Sequence, residues 1–121
     1  MRVLRSIYSD ELKNHPKLFS TAEKASGFLA KLVYDVENKN ANDDDQTSNE
    51  DSATPFTAEW SIVNDANGLP ILSLTLKLPP VSSQIVYRPE ELDKPEGVWL
   101  LARAYTEVID RRVRRILAGL A

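Results

Sequence analysis

Two runs of alternating hydropathy lie on either side of Asn64-Asp65-Ala66-Asn67-Gly68. In the first, Phe56, Ala58, Trp60 and Ile62 alternate with Thr57, Glu59, Ser61 and Val63; in the second, Leu72, Leu74, Leu76 and Leu78 alternate with Ile71, Ser73, Thr75 and Lys77. A period of two is the pattern of a strand buried on one face, and Asn and Gly tolerate the left-handed backbone that hairpin loops require. The two apolar rows therefore belong to one face of a hairpin, and that face must be covered. Pro79-Pro80 ends the second strand, since neither residue can donate to a ladder. Gln84-Ile85-Val86-Tyr87-Arg88 then predicts a third strand, at an edge, ending at Pro89.

The cover is supplied by two amphipathic segments. Ser20-Thr21-Ala22-Glu23 has the spacing of a capping box, and Ala22, Ala25, Phe28, Leu29, Leu32, Val33 and Val36 fall on one arc of a helix starting there. Asp93, Pro95 and Glu96 predict the start of a second helix, with Gly119 near its far end. Val98, Leu101, Ala102, Tyr105, Val108, Ile109, Val113, Ile116, Leu117 and Leu120 form its apolar stripe. At ~1.5 Å per residue this helix reaches roughly 36 Å, enough to cross a small sheet and project beyond it. Residues 1–19 suit either a helix or, through Val3 to Tyr8, a strand; the strand is the reading adopted. The expected fold is a two-layer α+β sandwich in the order (β)-α-β-β-β-α, with an antiparallel sheet of three to four strands and two helices on one face.

A chain of 121 residues fits one domain, residues 1–121. Between Glu37 and Pro55, Asn, Asp, Ser, Thr, Gln and Glu displace nearly every apolar residue, so a flexible acidic loop is expected at about residues 38–55. Residues 37–59 hold seven acidic side chains against Lys39, a local balance of −6 within an overall −3, which leaves the remainder at +3. The folded body is thus mildly basic. The absence of cysteine removes disulfides, thiolate metal sites and a cysteine nucleophile, and fits a reducing compartment. The amino-terminal residues never reach the apolar run of a secretory signal, and no stretch approaches the ~20 residues that span a bilayer. A cytoplasmic chain with no membrane partner is the expectation.

Residues suited to catalysis or cofactor binding are sparse. His15 is the single histidine, so neither a two-histidine metal site nor a motif-bearing triad is present. It reads as a surface or helix-capping residue. Glu90-Glu91 and Asp43-Asp44-Asp45 lack the apolar neighbours that would raise a carboxyl pKa for acid–base work. Asp43, Asp45, Asn49 and Glu50 depart from a Ca²⁺ loop, because Thr54 stands where its bidentate Glu belongs. The four isolated glycines form no phosphate-binding loop. No catalytic residue, metal or cofactor is expected. An enzyme working with a carboxylate and a hydroxyl in a pocket between sheet and helices ranks last among the readings.

Recognition is the better-supported role. Arg103, Arg111, Arg112, Arg114 and Arg115 form a basic face on the last helix, with Trp99 at the margin of its apolar stripe. The pairs Glu107–Arg111 and Asp110–Arg114 have the favourable i,i+4 orientation, which accounts for much of the cluster without a ligand. The edge strand Ile85-Val86-Tyr87 is open to pairing, and Val63 and Ile71 lie on the outer sheet face. The expected function is a small non-catalytic protein-interaction or assembly module, with self-association among its modes. The alternative is RNA or ribosome binding through the basic helical face, with the acidic loop competing for it. The helix-strand-strand-strand-helix order is shared by double-stranded-RNA-binding domains. Their lysine-rich motif is replaced here by Asp93-Lys94-Pro95-Glu96-Gly97, which repels phosphate, and order alone assigns no family.

Overall fold

The computed structural model describes residues 3–43 and 55–120, and their side chains over 3–37 and 55–119. The elements are β1 (Leu4–Tyr8), α1 (Asp10–Lys13), α2 (Pro16–Asp43), β2 (Phe56–Asn64), β3 (Pro70–Leu78), β4 (Val81–Tyr87), α3 (Pro89–Asp93) and α4 (Gly97–Leu120). With the short α1 and α3 set aside, this is the expected β-α-β-β-β-α order. The four strands lie in the order β1-β2-β3-β4.

The sheet is mixed, where an antiparallel one was expected. β2, β3 and β4 form an antiparallel meander, but β1 runs parallel to β2, with Leu4 opposite Phe56 and Tyr8 opposite Trp60. The cause is the connection: α2 carries the chain back along the sheet, so the next strand sets out in the direction of the first, as in any helical crossover.

Register places the apolar rows as the alternation demands. Trp60 faces Leu74, Ala58 faces Leu76 and Ile62 faces Leu72, while Leu74 faces Ile85 and Leu72 faces Tyr87 on β4. Phe56, Ala58, Trp60, Leu72, Leu74, Leu76 and Leu78 are almost wholly buried, in one cluster with Leu18, Ala22, Ala25, Leu29 and Val33 of α2 and Leu101, Ala104, Tyr105 and Val108 of α4. Tyr105 stacks on Phe56 with ring centroids 5.8 Å apart, and Phe19 meets Tyr8 edge-on at 5.1 Å. Both long helices thus cover one sheet face. Ser6 and Ser26 bond to each other through their hydroxyls, tying β1 to α2 within this layer.

Helix boundaries depart from the capping motifs. α2 starts at Pro16, where the missing proline N–H costs nothing, and the His15 carbonyl accepts from the Phe19 N–H at 2.8 Å. Ser20 and Glu23 are therefore interior, and His15 has the helix-capping position. α2 also continues to Asp43, so residues 38–43 of the expected loop are helical; residues 44–54 lie outside the described residues. Asp93 closes α3 and does not cap α4. Between them the chain turns so tightly that a Cβ on Gly97 would stand 2.6 Å from the Leu92 carbonyl oxygen, a position only glycine can occupy.

The β2–β3 loop is held by Asp65. Its Oδ1 accepts from the Asn67 and Leu69 N–H groups at 2.8 and 3.0 Å, and Gly68 takes a φ of +80°. Its other oxygen lies 3.8 Å from the Arg88 guanidinium. The Leu69 amide, with help from Asn67 and Arg88, holds the Asp65 carboxyl below its ordinary 3.8 despite the opposing effect of desolvation. A lowered native pKa stabilises the fold above the unfolded value, and that contribution disappears as pH falls through the native value. Asp65→Asn keeps the Oδ1 acceptor and removes the charge. Urea midpoints of wild type and Asp65→Asn should differ at pH 6 and converge as pH drops below 3.8; a gap that stays constant to pH 2.5 contradicts this role.

Candidate functional site

The candidate residues fall on three surfaces. The first is the outward side of α4. Trp99 is 76% exposed, and Arg103 lies beside it along a shallow groove of about 540 Å³ lined also by Ala102, Thr106, Glu107 and Asp110. The Thr106 hydroxyl donates to the Ala102 carbonyl at 2.9 Å, so the groove floor presents no unpaired hydroxyl donor.

The arginines of this helix do not act as one group. Arg114 pairs with Asp110 at 3.1 Å, as the i,i+4 spacing predicted, whereas the expected Glu107–Arg111 pair does not form among the described residues. Arg112 donates from Nε to the Pro79 carbonyl at 2.9 Å and so ties α4 to the β3–β4 turn. Arg103, Arg111 and Arg115 are exposed and have no ion-pair partner among the described residues. The basic face expected from sequence is thus divided between a structural clasp, an intrahelical pair and three open cations.

The second surface is β4. Among the described residues it bonds only to β3, at one end of the sheet, which is the edge position expected. Val86 is 48% exposed on the outer face. Ile85 faces the helices and lines a small groove with Tyr87, Leu100, Arg103, Ala104 and Glu107. Tyr87, expected at the interface, is buried instead, and its hydroxyl donates to the Leu100 carbonyl at 3.4 Å. Burial, reinforced by Glu91 and Glu107, pushes its phenol up to about 12. Only the backbone of Tyr87 remains for an edge partner, because register with Leu72 turns the ring toward the core. On the outer face Ile71 is also buried. Ser73 is fully buried and accepts from Gln84 Nε2 at 2.8 Å, and Lys77 pairs with Glu59.

The third surface escaped the sequence reading. An open cleft of about 660 Å³ is lined by His15, Pro16, Lys17, Leu18, Thr21, Pro70, Pro89, Glu90 and Asp93. It forms where the starts of α2, α3 and β3 converge. The Thr21 hydroxyl donates to the Lys17 carbonyl at 3.1 Å and stands 3.5 Å from Asp93 Oδ1. Glu90 and Asp93 are exposed, so no carboxylate here is withdrawn from water as acid–base chemistry at neutral pH requires. The one signal in the sequence was the proline at the first position of each contributing element. Among the described residues no cluster of His, Asp or Glu is arranged to hold a metal ion, and no helix is long and apolar enough to cross a membrane.

Comparison with protein-family models, with curated proteins and with solved structures gives no match. The division of the arginines has a measurable consequence. Arg112→Ala should cost about 1 kcal/mol in chemical denaturation through loss of the clasp on Pro79, and Arg111→Ala and Arg115→Ala less than about 0.5 kcal/mol each. Equal losses at all three positions would show that the arginines act as one structural unit.

Proposed function

We propose that this chain is a non-catalytic protein-interaction module of the cytoplasm that presents the β4 edge and the outward side of α4 to protein partners. The observation that carries the reading is the chemistry of β4. Its sequence Val-Ser-Ser-Gln-Ile-Val-Tyr contains no charge and no proline across seven residues, and among the described residues it pairs on one side only. Exposed edges in soluble proteins are ordinarily blunted by Lys, Glu, Pro or a bulge, because their unpaired N–H and C=O groups template pairing with another chain. The opposite edge, β1, is five residues long and carries Arg5. An uncharged edge flanked by exposed Val86 favours strand addition, in which backbone bonds supply affinity and alternate side chains supply selectivity.

The second reading, RNA binding, rests on the three open cations Arg103, Arg111 and Arg115. Three cations set a shallow dependence on salt and fall short of the six to ten phosphate contacts of a strong binder. Affinity capture in extract, with and without nuclease treatment, separates the two. Wild type should retain protein partners that Val86→Lys and Gln84→Lys lose, since each places a charge on the edge. Retention of nucleic acid instead, weakening with salt and abolished by Arg103→Ala/Arg111→Ala/Arg115→Ala, would favour RNA; capture unchanged by the edge variants removes β4 from the account.

A further inference from the structure

α4 carries two apolar stripes: the fold buries one, and of the other Ile109 is partly buried against the core. Leu101, Ala104, Tyr105 and Val108 are buried in the core. Trp99, Ala102, Thr106, Ile109, Val113 and Ile116 form the other, spaced alternately by three and four residues. Ala102, Thr106 and Ile109 each follow a core residue by one position, which turns them ~100° around the helix from it. The alternation is that of a helix seam, a pattern that an isolated surface helix has no reason to maintain over seventeen or more residues. Val113 and Ile116 are 47% and 40% exposed, and with Trp99 they leave the seam open along the helix. Beyond Val108 the remaining described side chains of α4 are at most half-buried, so the helix projects past the layer it covers.

We propose that the occupant of this seam is α4 of a second copy of the chain, packed antiparallel about a twofold axis between Thr106 and Ile109. This rests on the reading of the chain as an interaction module and names one of its partners. Antiparallel pairing centred there sets Trp99 against Ile116 of the second copy, Ala102 against Val113, and Thr106 against Ile109. Small residues thus meet large ones in the two inner pairings, Ala102 with Val113 and Thr106 with Ile109. The groove floored by Ala102 and Thr106 is where Val113 and Ile109 of the second copy enter.

Charge selects this arrangement over a heterologous helix. Arg103 and Asp110 flank the seam on the same side, and a twofold axis brings Arg103 of each copy to Asp110 of the other, twice per dimer. Arg103 has no ion-pair partner among the described residues, and Asp110 is exposed and pairs with Arg114, so a second copy adds to each arginine and aspartate a partner from outside the helix. A parallel pair would instead set this flank of each helix against the opposite flank of the other, so Arg103 and Asp110 would lie on opposite sides of the dimer and form no such pairs.

Sedimentation equilibrium of the full chain, from micromolar to several hundred micromolar, tests the proposal. Wild type should dimerise, and Val113→Glu should be monomeric at every concentration with an unchanged circular dichroism spectrum. Arg103→Asp and Asp110→Arg should each weaken the dimer at least about tenfold. The double reversal Arg103→Asp/Asp110→Arg should restore it to within about threefold, a rescue that no folding defect can mimic. Val86→Lys should leave the dimer intact. A wild-type chain that stays monomeric overturns the proposal while leaving the interaction-module reading to its partner-capture test. A dimer broken by Val86→Lys but untouched by Val113→Glu assigns self-association to the β4 edge and likewise overturns it. Absence of rescue in the double reversal overturns the antiparallel pairing.

Discussion

The structure depends on the burial of one face of the meander. Leu72, Leu74, Leu76 and Leu78 are inaccessible to water, and with Phe56, Ala58 and Trp60 they form a surface that no strand can cover from within its own sheet. Each of these large side chains is worth ~1.5–3 kcal/mol when withdrawn from water, so two helices must lie across them. α2 and α4 do so with their starts at the same end, where residues 21–28 and 97–101 share a groove. That parallel placement makes the proline-lined cleft at one end of the molecule and carries α4 past the buried layer at the other. Exposed surfaces are left at the margins of the cover: the edge strand, the cleft and the outward side of α4.

The same constraint explains why α4 is longer than its structural task. Val108 is its last fully buried side chain, with Ile109 partly buried after it, yet the helix continues to Leu120 with Arg112 clasped to the Pro79 carbonyl. The clasp fixes the projecting turns relative to the sheet, so they emerge as a rigid surface. Rigidity lowers the ordering cost of association, a requirement for any module that recognises a partner with a small area. Trp99, Arg103 and Asp110 lie on this side of the helix and contribute nothing to the buried layer.

The meander and both long helices were legible because their periods, two and 3.6, are set by the face that must be buried, and Leu72 to Leu78 or Leu101 to Val108 show that face directly. The direction of β1 was not, since alternation in Val3 to Tyr8 says nothing about which way a neighbour runs; the crossover through α2 decides it. The boundary errors have a common origin. Ser20 with Glu23 and Asp93 with Glu96 have capping spacing, but Pro16 starts one helix earlier and the tight turn at Gly97 starts the other later. The exposure of Trp99 and Val86 was legible because their neighbours in the pattern are polar or marginal. Tyr87 was misjudged because one residue in strand register separates an edge side chain from a core one. The Arg112 clasp joins positions 33 residues apart, and the cleft joins three distant segments, so neither leaves a local signature.

The central claim is that α4 divides into a stripe that holds the fold and a stripe that is spare for recognition. It is tested most directly by the folding free energies of Val108→Ala and Val113→Ala, measured by urea denaturation at a concentration low enough to keep the chain monomeric. The account predicts a loss of about 2 kcal/mol for the buried valine and less than about 0.5 kcal/mol for the exposed one. Comparable losses at the two positions would mean that the outward stripe is part of the core, and would contradict it.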